Sequence, residues 1–286
     1  MAIEVTAQFV RSVYKPRPAM ARKYDYGHLL VVGGSVHYTG APQLVALAAM
    51  RAGCDLATLI APQRAADAAA GTNPNLVTRP LDGDAISGRH LSQVRELMTH
   101  KTAMVMGNGA GREEGTLDAL LKIMKECIMP AVIDADAIRA VRKKDFEEMK
   151  DKPYVFTPHA GEFFALTGID SAAKPFEERT EIVMQAARTL GCVVVLKGNK
   201  DIISDGQEVA VNSTGTPFMT KGGTGDVLAG IIGALLARGT APFTAAQAGC
   251  WISGKAGERA GALKGEGLLA TDVVDEIPRV LIKILG

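Results

Sequence analysis

Aromatic residues and net charge are both scarce in this sequence. Phe, Trp and Tyr make up 5% of the 286 residues, and 32 basic residues against 31 acidic ones leave a formal net charge of +1. No global electrostatic field can therefore hold a nucleic acid or an anionic membrane, and we expect neither as a partner. Any recognition of phosphate must come from a local arrangement of groups.

Four widespread functional motifs are also missing from the sequence. It contains no GxxxxGK[ST] phosphate loop, no GxGxxG dinucleotide fingerprint, no HExxH and no GxSxG. The absence of these motifs argues against P-loop nucleotidases, Rossmann dehydrogenases, zinc peptidases and α/β-hydrolases.

Long apolar runs and paired cysteines are absent as well. The most apolar stretch, residues 227–237, is far shorter than the roughly 20 residues that a membrane span requires. The four cysteines, at positions 54, 127, 192 and 250, form no CxxC pair, and the first residues lack the basic and apolar regions of a signal peptide. We therefore expect a cytoplasmic protein with reduced, buried thiols.

Short β-rich runs alternate with helix-like segments along most of the chain. The runs lie at residues 28–32, 55–60, 103–106, 131–134, 154–156 and 193–196, and the helical segments at 41–52, 113–127, 176–190 and 225–238. This alternation predicts an α/β fold with a mostly parallel central sheet and helices on both faces. Residues 201–204 and 208–211, joined by Asp205-Gly206, predict a hairpin and hence a short antiparallel portion. No repeat or linker interrupts the pattern, so we expect one domain over residues 1–286.

The strongest functional signal is TKGGTGDVLAG at residues 220–230, a glycine-rich turn that leads into an apolar helix. The free amides of Gly223, Thr224 and Gly225 at the positive end of that helix would form an anion hole for a phosphoryl group. Asp226 lies beside this hole, where a carboxylate can take a proton from an attacking hydroxyl. The alternative is that Asp226 only caps the helix.

Other loops after predicted strands carry groups that can bind ligands, because ligands of parallel sheets collect at the carboxyl ends of the strands. Lys197 ends one strand, where it can meet nucleotide phosphates as a point charge or lie in a solvated turn. Within TPHAGE, residues 157–162, His159 and Glu162 can face one ligand, Glu162 through a magnesium-bound water. His159 is otherwise a structural hydrogen-bonding group. Glycine-rich loops at residues 33–41 and 107–111 can hold a ligand against bare backbone.

Taken in order, these segments resemble the ADP- or ATP-dependent NAD(P)H-hydrate dehydratases, a branch of the ribokinase-like superfamily. The resemblance extends from about Tyr26 to the last helix, and residues 27–28, 31–35, 38–41, 107–112, 134–137, 157–162, 197–198 and 222–226 carry it. His37 and Pro42 depart from the family pattern, and Asn108 stands where proline is frequent. Because the resemblance begins near the first residue, the chain looks like a stand-alone dehydratase without a fused epimerase domain.

The resemblance implies a metabolite-repair lyase with a ribokinase-like fold. Such an enzyme uses ADP or ATP, with Mg²⁺, to dehydrate the S form of hydrated NADH and NADPH. The resemblance also implies a homo-oligomer, a tetramer in the family. The implied roles are catalysis by Asp226, binding of the hydrated cofactor by Ala41, Gly109, His159 and Asp226, nucleotide binding by Lys197, Gly198, Asn199, Lys200, Asp201 and Gly225, and Mg²⁺ binding by Glu162 through water.

Two other functions use the same sequence features. A small-molecule kinase of the superfamily, such as hydroxyethylthiazole kinase, shares the anion hole and its aspartate but releases a phosphorylated product. A non-catalytic nucleotide sensor would need the amides yet gain nothing from a carboxylate beside bound phosphate, so Asp226 argues against it. The sequence leaves open whether ADP or ATP is the phosphate donor, and whether hydrated NADH or NADPH is preferred.

Overall fold

Short apolar segments form the strands of one sheet in the computed structural model, which describes residues 2–286. In chain order the strands are β1 (Ile3–Glu4), β2 (His28–Val32), β3 (Leu56–Pro62), β4 (Val77–Leu81), β5 (Ala103–Met106), β6 (Ala131–Ile133), β7 (Tyr154–Phe156), β8 (Val193–Leu196), β9 (Asp201–Ser204) and β10 (Val209–Asn212). Their order across the sheet is β1-β10-β9-β8-β7-β6-β5-β2-β3-β4. Only the β8–β9 and β9–β10 pairs among these described strands are antiparallel. The predicted mostly parallel sheet with a short antiparallel portion is confirmed.

Helices cover both faces of this sheet. They are α1 (Ala7–Val13), α2 (Ala41–Arg51), α3 (Gln63–Thr72), α4 (Leu91–Met98), α5 (Glu114–Glu126), α6 (Asp136–Ala140), α7 (Phe146–Met149), α8 (Ala160–Thr167), α9 (Phe176–Leu190), α10 (Thr224–Ala237), α11 (Pro242–Lys264) and α12 (Ala270–Leu285). None of the helices within residues 2–286 has both the length and the apolar character needed to cross a membrane.

Two hydrophobic cores lie on opposite faces of the sheet, because successive side chains of a strand point in opposite directions. In β2, Leu29 and Val31 pack into the core formed with α2, α3, α10, α11 and α12. Leu30 and Val32 pack into the second core, formed with α4 to α9. Burial on both faces explains why the strands of this sheet appear as continuous apolar runs in the sequence.

The edges of the sheet differ from the sequence-based expectation. β1 pairs in parallel with β10 and therefore lies outside the predicted hairpin. It is only two residues long and exposed, whereas β4, at the other edge, has the partly polar sequence VTRPL. Neither strand carries the apolar run that marks a central strand. Asp134, predicted as the end of a strand, directly follows β6.

Helix α10 packs unusually close to the sheet and to α2. All residues from Val227 to Ala237 are buried. A Cβ atom on Gly230 would overlap the carbonyl oxygen of Val45, and one on Gly233 would overlap the side chain of Val105. These glycines allow the close approach. The glycine-rich turn before α10 is thereby fixed near the carboxyl ends of the central strands.

Candidate active site

The turn before α10 leaves backbone amides free to bind an anion. Gly223 precedes the helix with φ of +97°, and a Cβ atom there would lie 2.7 Å from Cδ1 of Leu44. No side chain caps the helix, and the N–H groups of Thr224 and Gly225 donate to no acceptor within residues 2–286. The Thr224 hydroxyl donates to the carbonyl of Met219 at 2.9 Å and so stabilises the turn. The predicted anion hole therefore has free donors at the positive end of a helix dipole.

Asp226 lies in the first turn of α10, beside these amides. The pKa of its carboxyl is raised to about 7, mainly by burial and also by the nearby carboxyl groups of Asp134 and Glu162, which together outweigh the lowering effects of Asn108 and Lys197. A carboxyl with a pKa near neutrality is well matched to general-base catalysis at that pH. Asp226 thus has the environment of a proton acceptor, beyond that of a helix cap.

A buried polar network joins the ends of four adjacent strands beneath Asp226. Asp134, which follows β6 and is 1% exposed, lies at its centre. Its Oδ1 accepts hydrogen bonds from Oγ1 of Thr157 at 2.7 Å and from Nζ of Lys197 at 2.9 Å. Its Oδ2 accepts one from Nδ2 of Asn108 at 2.9 Å, and the same Nδ2 donates to Oδ1 of Asp226 at 2.7 Å. Asp226 is therefore linked to strands far from it in sequence.

Lys197, predicted to bind the nucleotide, directly follows β8 and belongs to this network. Burial by itself would lower the pKa of its ammonium, but the carboxylates of Asp134 and Glu162 outweigh burial and hold that pKa above its ordinary value. Glu162 lies at 3.8 Å from Nζ. Lys197 is therefore a permanent cation between the acidic network and the anion hole.

The loop after Lys197 contains the other predicted nucleotide-binding residues. Gly198, Asn199 and Lys200 are exposed. Asp201 faces inward: its Oδ1 accepts from the Gly198 amide at 3.1 Å and its Oδ2 from Nδ2 of Asn212 at 2.9 Å. Burial raises the pKa of the Asp201 carboxyl. Asp201 thus closes the loop and presents its three exposed residues to solvent.

A cavity of about 870 Å³ lies in front of Asp226. Ala41, Gly109 and Asp226, three of the residues predicted to bind the hydrated cofactor, line it together with Glu162. Gly109 has φ of +67°, and a Cβ atom there would lie 3.1 Å from that of Ala41. The predicted nucleotide loop of residues 197–201 does not line this cavity. The structure thus brings Ala41, Gly109 and Asp226 to one cavity, and their role in binding the hydrated cofactor stays a prediction.

His159, also predicted to bind the hydrated cofactor, is not among the residues that line the cavity. Its Nδ1 accepts hydrogen bonds from the amides of Gly161 at 3.0 Å and Glu162 at 3.2 Å, so its ring caps α8. Oε2 of Glu162 accepts from the His159 amide at 2.9 Å and completes a capping box. Because Nδ1 is an acceptor, the ring proton of the neutral tautomer is on Nε2, which lies 3.3 Å from Oε1 of Glu162. A ligand-binding role for His159 stays a prediction.

The carboxylates of the cavity suit a magnesium ion that water and phosphate oxygens would hold for the most part. Glu162 lines the cavity with a carboxylate side chain, and oxygen is the ligand that Mg²⁺ prefers. Within residues 2–286, no group of three or more His, Cys, Asp or Glu side chains is arranged to hold a metal. Because Glu162 is engaged with His159, contact through a water molecule fits its geometry better than direct coordination.

Sequence reasoning missed several residues of this site. Asn108 appeared within a glycine-rich loop and as a departure from a family pattern but was given no role, and Asp134 and Thr157 appeared only as parts of motifs. Asp134 and Thr157 directly follow β6 and β7, and Asn108 follows β5 after Gly107, so their positions at the carboxyl ends were the available signal. Arg112 is the only Lys or Arg among the residues that line the cavity, and its Nε donates to Oδ1 of Asp136 at 3.0 Å. No local sequence feature distinguished it.

Comparisons with known proteins identify the family of this chain. Residues 29–279 match the family model of NAD(P)H-hydrate dehydratase. A bifunctional NAD(P)H-hydrate repair enzyme of Pyrobaculum aerophilum is 43% identical over 93% of this chain and 52% of its own length. An ADP-dependent (S)-NAD(P)H-hydrate dehydratase of Cenarchaeum symbiosum is 35% identical over 95% of this chain and 94% of its own. The ADP/ATP-dependent NAD(P)H-hydrate dehydratase of Bacillus subtilis, co-crystallised with ATP and Mg²⁺, superposes with a TM-score of 0.81 at 26% identity, covering 99% of both chains.

The sheet order, the uncapped glycine-rich helix start and the adjacent aspartate define a ribokinase-like α/β protein. Within that class, the chain belongs to the NAD(P)H-hydrate dehydratase family. It spans about half the length of the bifunctional relatives that it matches.

Proposed function

We propose that this protein restores NADH and NADPH from the S form of their hydrates, with ADP or ATP as phosphate donor. The observation that carries the proposal is the position of Asp226, whose pKa of about 7 makes it a base beside the free amides at the start of α10. The Cenarchaeum relative is named for its dependence on ADP, and the Bacillus protein was crystallised with ATP and Mg²⁺. These names support both nucleotides as candidates.

The proposed reaction has two stages. Asp226 takes the proton of the ring hydroxyl while the hydroxyl oxygen forms a bond to the terminal phosphorus, and the bond from that phosphorus to the bridging oxygen breaks. The nucleotide leaves with one phosphate fewer. Loss of inorganic phosphate from the ring, with loss of a proton from the adjacent carbon, then restores the ring double bond. Phosphorylation is needed because hydroxide itself is a poor leaving group.

The chain's residues would divide this work between two sides of α10. The amides of Gly223, Thr224 and Gly225 would stabilise the charge that develops on the transferring phosphoryl group. Lys197 and the exposed residues 198–200 would hold the nucleotide, with Asp201 maintaining the shape of their loop. On the other side, Ala41 and Gly109 would hold the hydrated nicotinamide close to Asp226.

Two charged groups of the cavity fit the remaining parts of the ligands. Glu162 would contact Mg²⁺ through water, and a bound Mg²⁺ would neutralise phosphate charge during transfer. Arg112 would bind the pyrophosphate of the hydrated cofactor, because its guanidinium attracts phosphate oxygens. The neighbouring carboxylates of Asp84, Glu113 and Asp136 would repel the pyrophosphate, so contact is expected at Arg112 alone among these four. Within the described cavity lining, Arg112 would thus be the group that attracts the anionic part of the substrate.

The test is to incubate purified protein with hydrated NADH and Mg²⁺, with ADP or ATP added in separate reactions. The expected result is a return of the absorbance of the reduced nicotinamide ring, together with stoichiometric free phosphate. A kinase such as a hydroxyethylthiazole kinase would instead accumulate a phosphorylated small molecule. A nucleotide sensor would bind nucleotide without releasing phosphate, and either result would overturn the proposal.

We further propose a cytoplasmic location and a homotetrameric assembly. All four cysteines are buried and unpaired, which suits a reducing compartment.

The proposed homotetrameric assembly rests on the family resemblance alone. Sedimentation equilibrium with the purified protein decides it, because a monomer mass would contradict the tetramer.

A further inference from the structure

Asn108 connects two acidic side chains at the centre of the site. It follows β5, it is fully buried, and its Nδ2 donates to Oδ1 of Asp226 at 2.7 Å and to Oδ2 of Asp134 at 2.9 Å. The amide of Asn108 has one NH₂ group that donates and one oxygen that only accepts. The two carboxylates therefore fix which way the Asn108 side chain is turned. Its own Oδ1 is buried without a partner within residues 2–286.

This pattern of hydrogen bonds has different consequences for the two carboxylates. Asp134 has two further donors, Thr157 and Lys197, so it does not depend on Asn108. Asp226 accepts from no other side chain of the described residues. A residue present only to fill space would not leave a buried carbonyl oxygen unpaired. The arrangement therefore serves Asp226 more than it serves packing.

An engaged Oδ1 leaves Oδ2 of Asp226 to receive a proton. One hydrogen of the Asn108 amide is donated to Oδ1 of Asp226 and the other to Oδ2 of Asp134. Both oxygens must therefore keep a lone pair directed at the amide. An amide also separates the carboxyl groups of Asp226 and Asp134, which would otherwise share a proton if they met directly. A proton taken by Asp226 is then received on Oδ2, the oxygen that Asn108 leaves free.

We propose that Asn108 is the positioning residue of Asp226: its amide selects the carboxylate oxygen that accepts the substrate's proton and keeps the group apart from Asp134. This inference rests on the proposed function, in which Asp226 is the base. It assigns a purpose to a position that departs from the family pattern.

The decisive experiment compares Asn108→Ala with Thr157→Val. Both changes remove buried hydrogen bonds to the same network, but only Asn108 contacts Asp226. Asn108→Ala should lower kcat roughly 10-fold at neutral pH, since a misaligned base loses orientation, with little change in KM for the nucleotide. The acid limb of its pH–rate profile should move upward by about one pH unit, because a donor to the ionised carboxylate is lost. Thr157→Val should leave that limb in place.

A second measurement does not depend on activity. The ¹³C carboxyl resonance of Asp226, assigned by its absence in Asp226→Asn, should titrate at higher pH in Asn108→Ala than in the wild type. Asn108→Ser has a single hydroxyl hydrogen and can donate to only one carboxylate, so the pH at which the resonance titrates should shift by less. This variant keeps the test possible if the alanine variant does not fold. An unmoved resonance in the folded variants, or equal pH profiles for the alanine and valine variants, would overturn the inference. If the wild type restores no reduced cofactor while the resonance shifts, the proposed function fails and the positioning role stands.

Discussion

Nζ of Lys197 lies 3.4 Å from the point that a Cβ atom on Gly225 would occupy. The lysine ammonium is therefore adjacent to the first turn of α10, where the helix dipole is positive and the amides are free. An anion at this turn would meet the cation, the dipole and the amide hydrogens together. The same ammonium also balances Asp134, so Lys197 has two separable effects.

Lys197→Met should weaken nucleotide binding and destabilise the fold by different routes. We expect affinity for the nucleotide to fall about 10-fold through loss of a charge-assisted contact. The unpaired Asp134 carboxylate should lower the free energy of unfolding by about 3 kcal/mol. The double variant Lys197→Met/Asp134→Asn should regain most of the stability but none of the affinity, as measured by urea unfolding and calorimetry. Equal weakening of nucleotide and hydrated cofactor would contradict the assignment of Lys197 to the nucleotide.

Asp226→Asn should nearly abolish turnover while nucleotide binding survives. The amide side chain cannot take a proton, whereas the free backbone donors of α10 stay in place. We expect kcat to fall by more than about 100-fold, within the usual range for a general base. Calorimetry with ADP serves as the control for an intact phosphate site. A loss of less than about 10-fold would remove Asp226 as the base.

The raised pKa of Asp226 also predicts opposite pH trends in activity and stability. Activity should increase as pH rises through about 7, because only the ionised carboxylate accepts a proton. Between the unfolded pKa of 3.8 and about 7 the folded state binds more protons, so this group's contribution to stability decreases as pH rises. Above pH 7, Asp226→Asn should therefore be more stable than the wild type by about 2 kcal/mol, with no gain near pH 4. Thermal unfolding at both pH values checks this sign, and a destabilised variant at high pH would refute it.

His159→Ala tests whether the cap of α8 also binds substrate. Loss of the cap should lower the free energy of unfolding by about 1 kcal/mol. If His159 also contacts the ligand, loss of that contact should raise KM for the hydrated cofactor. His159→Ser is the matched control, because a serine hydroxyl can cap the helix while it is too short to replace the ring. Binding by His159 predicts that serine restores the melting temperature and leaves KM high. A thermal defect alone in the alanine variant would remove His159 from the site.

Arg112→Gln should raise KM for the hydrated cofactor about 10-fold and leave the nucleotide KM unchanged, because a charge-assisted hydrogen bond to pyrophosphate is lost. Lys122→Gln, which removes an exposed cation on α5 outside the cavity, is the control for net charge. A similar change in both variants would indicate general electrostatic attraction. No change in either would exclude contact between Arg112 and the substrate.

The sequence predicted features that depend on local chemistry and missed those that depend on distant contacts. The apolar runs identified the central strands, and glycines before an apolar helix identified the free amides at Gly223 to Gly225. The contact between Lys197 and Asp134 spans 63 positions, and no pattern within a short window encodes it. The cap formed by His159 depends on its orientation toward Gly161 and Glu162, which residue type alone does not give. The pKa of Asp226 follows from burial by the folded chain, which the sequence by itself does not quantify.

The close packing of α10 has a consequence for how the molecule opens. A helix buried along its length from residue 227 to 237, with glycines against α2 and the sheet, exchanges its amide hydrogens only when a large part of the fold is disrupted. On the cavity side, His37, Tyr38 and Gly40 are exposed, and exposed loops open in smaller fluctuations than a buried helix does. Motion of that loop would leave the free amide donors at the start of α10 in their orientation, so an anion that arrives there would meet dipoles that are already aligned.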